Sequence, residues 1–268
     1  MNAEEPEKLT YKNMGTGAVP PPETLIWRYM DLPKFVCMLK RGALYLPVVA
    51  ALDDEFEAAP LSPRNPTKQK ESMLWHQWSV ARATAFVSCW HESRVESAAM
   101  WKLYGNSIAI HTTFGALSSA ISQPWESEKG PLGLESTVIG GRVRYVNPDA
   151  ESPAKDVWTT PELVLRKRSW YRHEREVRLV CDRPNNFECG KGASPLGPPG
   201  AAGTPKSMGL WALCNLKAMI QGIVIAPKSP RFIEDAAAAV CESFGLDPSL
   251  VTRSKLEKGA PQPPRTKS

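Results

Sequence analysis

From Leu25 onward the chain switches repeatedly between two rhythms, and this switching restricts its fold more than any other feature. Runs such as 107–112 and 173–181 alternate every second residue, the period of a strand with two unlike faces. Runs such as 31–41, 113–121 and 231–244 place apolar residues three and four apart, the period of a helix with one buried stripe. Shorter strand-like runs lie at 25–29, 44–49, 85–90, 141–146, 222–226 and 250–253, and a further helical run at 72–83. Several strands adjoin without the long crossover that a parallel β-α-β unit requires. The pattern predicts an α+β fold, a single mixed domain of strands and short helices over 23–254.

Local punctuation places the elements. Asp31 caps the first helix, Leu32, Phe35, Met38 and Leu39 form its apolar face, and Gly42 stops it behind Lys40 and Arg41. Ser93-Arg94-Val95-Glu96 reads as a capping box opening a helix that ends at Gly105, with Trp101 and Tyr104 on one face. Thr113 caps a helix with Phe114, Leu117 and Ile121 aligned, and Thr160-Pro161-Glu162 starts a shorter one. In 141–146, Arg142 and Arg144 take one side and Val143 and Tyr145 the other. In 173–181, Glu174, Glu176, Arg178 and Val180 share one strand face. Residues 1–22 and 255–268 read as tails, and 183–207, with GKGASPLGPPGAAGTPK inside it, as a Pro/Gly-rich flexible surface loop inserted in the domain.

Composition excludes several classes. With 42% apolar residues the chain can bury a core, and most of its nine Trp are expected there. The formal charge of +5 is partly carried by the tail 253–267, so nucleic acid is at most a weakly supported partner. No run approaches the ~20 apolar residues that span a bilayer, and residues 1–12 are acidic and polar, unlike a signal peptide. The expectation is a cytoplasmic protein with no membrane partner. Its six cysteines include no C-x-x-C pair and its histidines no helical metal-binding spacing, so neither a zinc site nor a disulfide framework is signalled; Asp53, Asp54, Glu55 and Glu57 could take a divalent metal, but they lack the Ca-loop spacing and read as a solvated charge run. No G-x-G-x-x-G and no Walker loop occurs. The run Cys89-Trp90-His91 is set aside as a thiol–imidazole pair on the argument that neighbours along a strand point to opposite faces.

Four segments carry a resemblance. Leu25-Ile26-Trp27-Arg28-Tyr29, the acidic Leu52-Asp53-Asp54-Glu55-Phe56-Glu57, the central FVSCWHESRVESAAMWKLYGNSIAI, and Trp170-Tyr171-Arg172-His173-Glu174-Arg175-Glu176-Val177-Arg178 together resemble the domain of unknown function 2971 family of uncharacterised bacterial proteins. The family's usual Asn-Asp-Pro-Phe-Glu is replaced here by Asp53-Asp54-Glu55-Phe56-Glu57. The resemblance implies motif positions and a fold, and no reaction.

A second resemblance concerns chemistry. Arg28, then Ser88, then Glu174-x-Glu176 occur in the order of the Arg, Ser and Glu residues of mono-ADP-ribosyltransferases, although Ser88 lacks the Ser-Thr-Ser context. That likeness implies NAD as substrate rather than as bound cofactor. Arg28 would hold the pyrophosphate, Ser88 would support the carboxylate, and an aromatic such as Tyr29, Trp101 or Tyr104 would stack the nicotinamide. Glu176, with Glu174, would bind the ribose hydroxyl and stabilise an oxocarbenium-like transition state. The residues admit a plainer account: Glu174, Glu176 and Arg178 as a cross-strand ion-pair ladder, and Trp101 with Tyr104 as core. The competing class is a non-enzymatic module binding nucleic acid or protein through the basic, aromatic-interleaved stretch from Arg166 to Arg178.

Overall fold

The computed structural model describes residues 6–7, 9–12, 19–61, 67–104, 107–121, 137–150, 159–188 and 204–257. In chain order the strands are β1 (Thr10–Tyr11), β2 (Leu25–Met30), β3 (Ala43–Pro47), β4 (Ala85–Glu92), β5 (Ile108–Thr113), β6 (Thr137–Arg142), β7 (Arg144–Val146), β8 (Arg166–Arg168), β9 (Glu176–Asp182), β10 (Phe187–Glu188), β11 (Thr204–Pro205), β12 (Gly209–Leu213), β13 (Gly222–Ile225) and β14 (Val251–Arg253). The helices are α1 (Leu32–Arg41), α2 (Lys68–Thr84), α3 (Ala98–Tyr104), α4 (Phe114–Ile121), α5 (Thr160–Val164), α6 (Leu216–Met219) and α7 (Arg231–Ser243). Eight strands form one sheet in the order β1-β6-β9-β4-β2-β5-β13-β14. Its outer pairs, β1 with β6 and β13 with β14, run parallel, and the inner pairs antiparallel. The fold is α+β, as the alternating rhythms predict.

The two faces of the sheet are packed differently. One face sends Ile26, Phe86, Trp90, Ile110, Val177 and Leu179 into a large core closed by α1, α4, α6, α7 and the β3–β12 pair. Each Leu or Ile fully buried there contributes roughly 1.5–3 kcal/mol relative to exposure. The opposite face buries two smaller clusters. Val87 and Val180 pack with Ala81 of α2 and Leu163 of α5; Trp27, Tyr29 and Ala109 pack with Met100 and Trp101 of α3. Between these clusters the sheet carries Cys89, His91, Glu176 and Arg178.

Helix α1 follows its sequence closely. Asp31 accepts from the Lys34 N–H, Phe35, Met38 and Leu39 are buried, and Gly42 closes the end at φ +58°, a left-handed position that favours glycine. Elsewhere the structure departs from expectation. The strand expected over 141–146 breaks at Val143, whose N–H donates to the Glu176 carbonyl at 2.8 Å. The strand expected from 173 begins at Glu176, because Ser169–Glu174 forms a 3-10 turn and Arg175 sits at φ +42°. Glu174 is therefore on a turn and not on the strand face.

The helix expected from Ser93 begins at Ala98, where Ser97 Oγ accepts from the Met100 N–H at 3.3 Å. Glu96, which precedes the helix, accepts from Trp101 Nε1 and Ser254 Oγ; Gly105 lies outside the described residues. The N-terminal stretch expected as a tail includes Leu9, 1% exposed, and Thr10–Tyr11 in the sheet. The C-terminal one begins with a 3-10 turn at Lys255–Glu257. The loop expected over 183–207 is ordered at both ends: β10 pairs with β11, and the buried Asn186 donates to the Ala83 carbonyl at 2.6 Å. Residues 189–203 lie outside the described residues. Among the described residues no helix is long and apolar enough to cross a membrane.

Candidate functional site

Strands β2 and β4 are neighbours over only two register pairs, Ile26 with Glu92 and Trp27 with His91. Beyond them the strands part, each still paired on its other side, β2 with β5 and β4 with β9. A cleft of about 280 Å³ occupies the parting. It is lined from both faces of the sheet, by Tyr29, Cys89 and His91 on one side and Arg28 and Trp90 on the other, which only an opened sheet permits.

Arg28 spans the gap. Its Nη1 donates to Ser88 Oγ on β4 at 2.9 Å, and its Nη2 to the Tyr45 carbonyl on β3 at 2.8 Å. Ser88 is fully buried and also accepts from Trp90 Nε1 at 2.9 Å, so one hydroxyl fixes both the guanidinium and the indole. Burial draws the Arg28 pKa below its ordinary value. Among the described residues the guanidinium has no carboxylate partner; its other contact is the Trp90 ring, 5.8 Å from centroid. A half-buried cation with donors to offer and no counter-ion among the described residues is suited to an anionic ligand.

The opposite wall is a compact charge cluster. Arg178, 0% exposed, pairs with Glu176 and, at 2.7 Å, with Glu57. Lys167 on β8 pairs with Glu174, with Glu176 at 3.1 Å and with Glu57 at 3.7 Å. Burial disfavours the Glu176 charge, but Arg178 and Lys167 outweigh it and draw its pKa down to about 2. Glu174 shifts the other way, raised by its own burial and by the neighbouring Glu176. Burial likewise opposes the Lys167 charge, yet Glu176 and Glu57 hold its pKa above the ordinary range. Tyr104 donates its hydroxyl to Glu174 Oε1 at 2.6 Å. Tyr145 accepts the Glu176 N–H at 2.8 Å, which ties the strand start to the cluster.

The residues singled out from sequence separate accordingly. Arg28, Tyr29, Tyr104, Glu176 and Arg178 line the cleft. Burial pushes the Tyr29 hydroxyl up to about 12, and it accepts the Ser97 N–H at 2.8 Å. Ser88 sits one bond behind Arg28, and Glu174 one bond behind Tyr104 and Lys167. Trp101 belongs to the core: it is 6% exposed and meets Tyr29 edge to face at 4.9 Å.

Cys89 and His91, expected to point apart, are two residues apart on β4 and so share a face, and both line the cleft. Burial pushes the Cys89 thiol up to about 12, which leaves it a poor nucleophile. His91 Nδ1 contacts the Glu174 carbonyl at 2.6 Å, so that nitrogen carries the proton and Nε2 is the basic one. Burial lowers the His91 pKa, which favours the neutral ring.

Sequence reading passes over Lys167 and Glu57 as individuals, since each lies in a run of like charge. Their signal is spacing: Lys167 is flanked by two arginines on a short strand, and Glu57 follows Asp54 by three residues, one turn of chain that folds toward the cluster. Among the described residues no group of three His, Cys, Asp or Glu is arranged to hold a metal ion. The arrangement can grip an anion at Arg28, receive a planar ring against Tyr29 and Tyr104, and present an ionised carboxylate, Glu176, to developing positive charge. In comparisons with known proteins, no family model, no curated protein and no solved structure matches the chain.

Proposed function

We propose that the cleft binds a nucleotide and that the protein is an enzyme acting on it, with NAD the favoured substrate and glycosidic cleavage the reaction. The observation that carries this reading is that Arg28 and Glu176, from opposite faces of one sheet, line the same opening. Arg28, lacking a carboxylate partner among the described residues, meets the pyrophosphate. The aromatic wall of Tyr29 and Tyr104 takes the departing ring. As the bond from ribose C1′ to the nicotinamide nitrogen breaks, its electron pair leaves with nicotinamide and positive charge grows on the sugar. Glu176, ionised even in a buried setting, faces that charge. Water or the nucleophile of an acceptor then bonds to C1′, giving a glycohydrolase or an ADP-ribosyltransferase.

A second reading rests on a specific feature: each Glu176 oxygen already meets a cation, Oε1 with Lys167 and Oε2 with Arg178. In that reading the cluster is a strut, and the protein is a non-enzymatic module that binds a nucleotide, nucleic acid or protein. Incubation with NAD, followed for nicotinamide release with and without cell lysate as acceptor source, separates the two. Release that Arg28→Gln abolishes is the expected result. Heat of NAD binding without turnover supports the module, and neither heat nor turnover removes the nucleotide reading.

A further inference from the structure

Among the buried acids that line the cleft, one has an oxygen to spare. Asp54 lines the cleft with a side chain only 5% exposed. Its Oδ1 is occupied, accepting from Arg168 Nη2 at 2.6 Å and from the Phe56 N–H at 3.0 Å, so the side chain's hold on the loop runs through that oxygen. Its Oδ2 is buried and has no hydrogen-bond partner among the described residues. The other buried carboxylates of the wall differ: Glu57 has its oxygens on Arg178 and Lys167, and Glu176 likewise. A buried acceptor left without a donor is costly unless a ligand completes it.

Resting on the nucleotide reading of the cleft, we propose that Asp54 Oδ2 is the acceptor for the ribose hydroxyls of the bound nucleotide and so discriminates nucleotides from bare polyphosphates. The partition of the cleft supports this. An ionised carboxylate repels phosphate, which belongs at Arg28, and a flat ring belongs at the aromatic wall. The donor-rich, uncharged part of a nucleotide is its sugar, and it is the part left for the acidic wall. A site that must hydrogen-bond a hydroxyl rejects the analogue lacking it, because the buried acceptor then stays unpaired.

The test is a cycle between protein and ligand. ADP, 2′,3′-dideoxy-ADP and inorganic pyrophosphate are titrated calorimetrically into the full chain and into Asp54→Asn, whose amide oxygen still serves Arg168 and the Phe56 N–H. The full chain is expected to bind ADP about 10-fold more tightly than the dideoxy compound. Asp54→Asn, which replaces a charged acceptor by an amide N–H, is expected to narrow that preference while binding pyrophosphate as well as or better than the parent. A preference equal in both proteins overturns the role of Asp54 alone, leaving the cleft a nucleotide site. Equal losses for ADP and pyrophosphate overturn it too, since they signal a damaged loop rather than a lost acceptor. Absence of binding by all three ligands to the full chain overturns the nucleotide reading and this assignment with it.

Discussion

Glu176 stays ionised where burial alone would neutralise it, and removal of its charge has two separable consequences. Glu176→Gln leaves Arg178 and Lys167 short of a counter-charge in a buried place, so the variant is expected to lose about 3–5 kcal/mol at pH 7. The folded-state pKa lies below the ordinary carboxylate value, so the stabilisation is complete above that value and is lost as pH falls toward about 2. Urea unfolding of parent and variant at pH 7 and pH 3 should show the gap narrowing at the lower pH. If Glu176 faces a cationic sugar, turnover per folded molecule should also fall about 100-fold; unaltered turnover would leave it a structural ion pair. Arg28 differs because no acid is orphaned when it goes. Arg28→Met should weaken nucleotide binding about 10–100-fold, the worth of hydrogen bonds to a charged group, with little change in melting temperature.

At the scale of elements, how much can be read from sequence depends on whether the determinants are local. In α1 the cap, the period and the stop all lie within the helix, and Gly42→Ala is expected to lose about 1 kcal/mol in denaturant unfolding because φ +58° suits only glycine there. The alternation over 173–181 reads as one strand because nothing in Arg175 itself announces φ +42°. That turn is imposed by tertiary contacts, among them the Glu92 N–H donating to the Arg175 carbonyl at 2.9 Å. It is also what carries Glu174 off the strand and over Lys167. Likewise the break at Val143 answers to Glu176, a residue distant in sequence. Arg28 and Ser88 are visible as residue types, but their bond depends on the parting of β2 from β4, which no local pattern encodes. The β10–β11 pair makes another element-scale prediction. Glu188 and Thr204 are register partners, so replacing 189–203 by a short glycine-containing turn should leave the thermal melting midpoint nearly unchanged.

Across the whole molecule, a net charge of +5 supplies few phosphate contacts. Titration with labelled RNA should therefore show weak binding that disappears between low and physiological salt. The sheet itself is two four-stranded halves, β1-β6-β9-β4 and β2-β5-β13-β14, stitched on the front by two register pairs and on the back by the shared core. Mechanically this is a book whose spine is apolar packing and whose pages meet along one short margin. Alternate backbone amides within 28–30 and 88–90 turn from the β5 and β9 ladders toward a margin where the usual rungs are missing, so slow breathing of the two halves should concentrate there. A ligand gripping Arg28 on one page and the acidic wall on the other would act as a clasp, and hydrogen exchange at that margin should slow on binding more than anywhere else in the sheet.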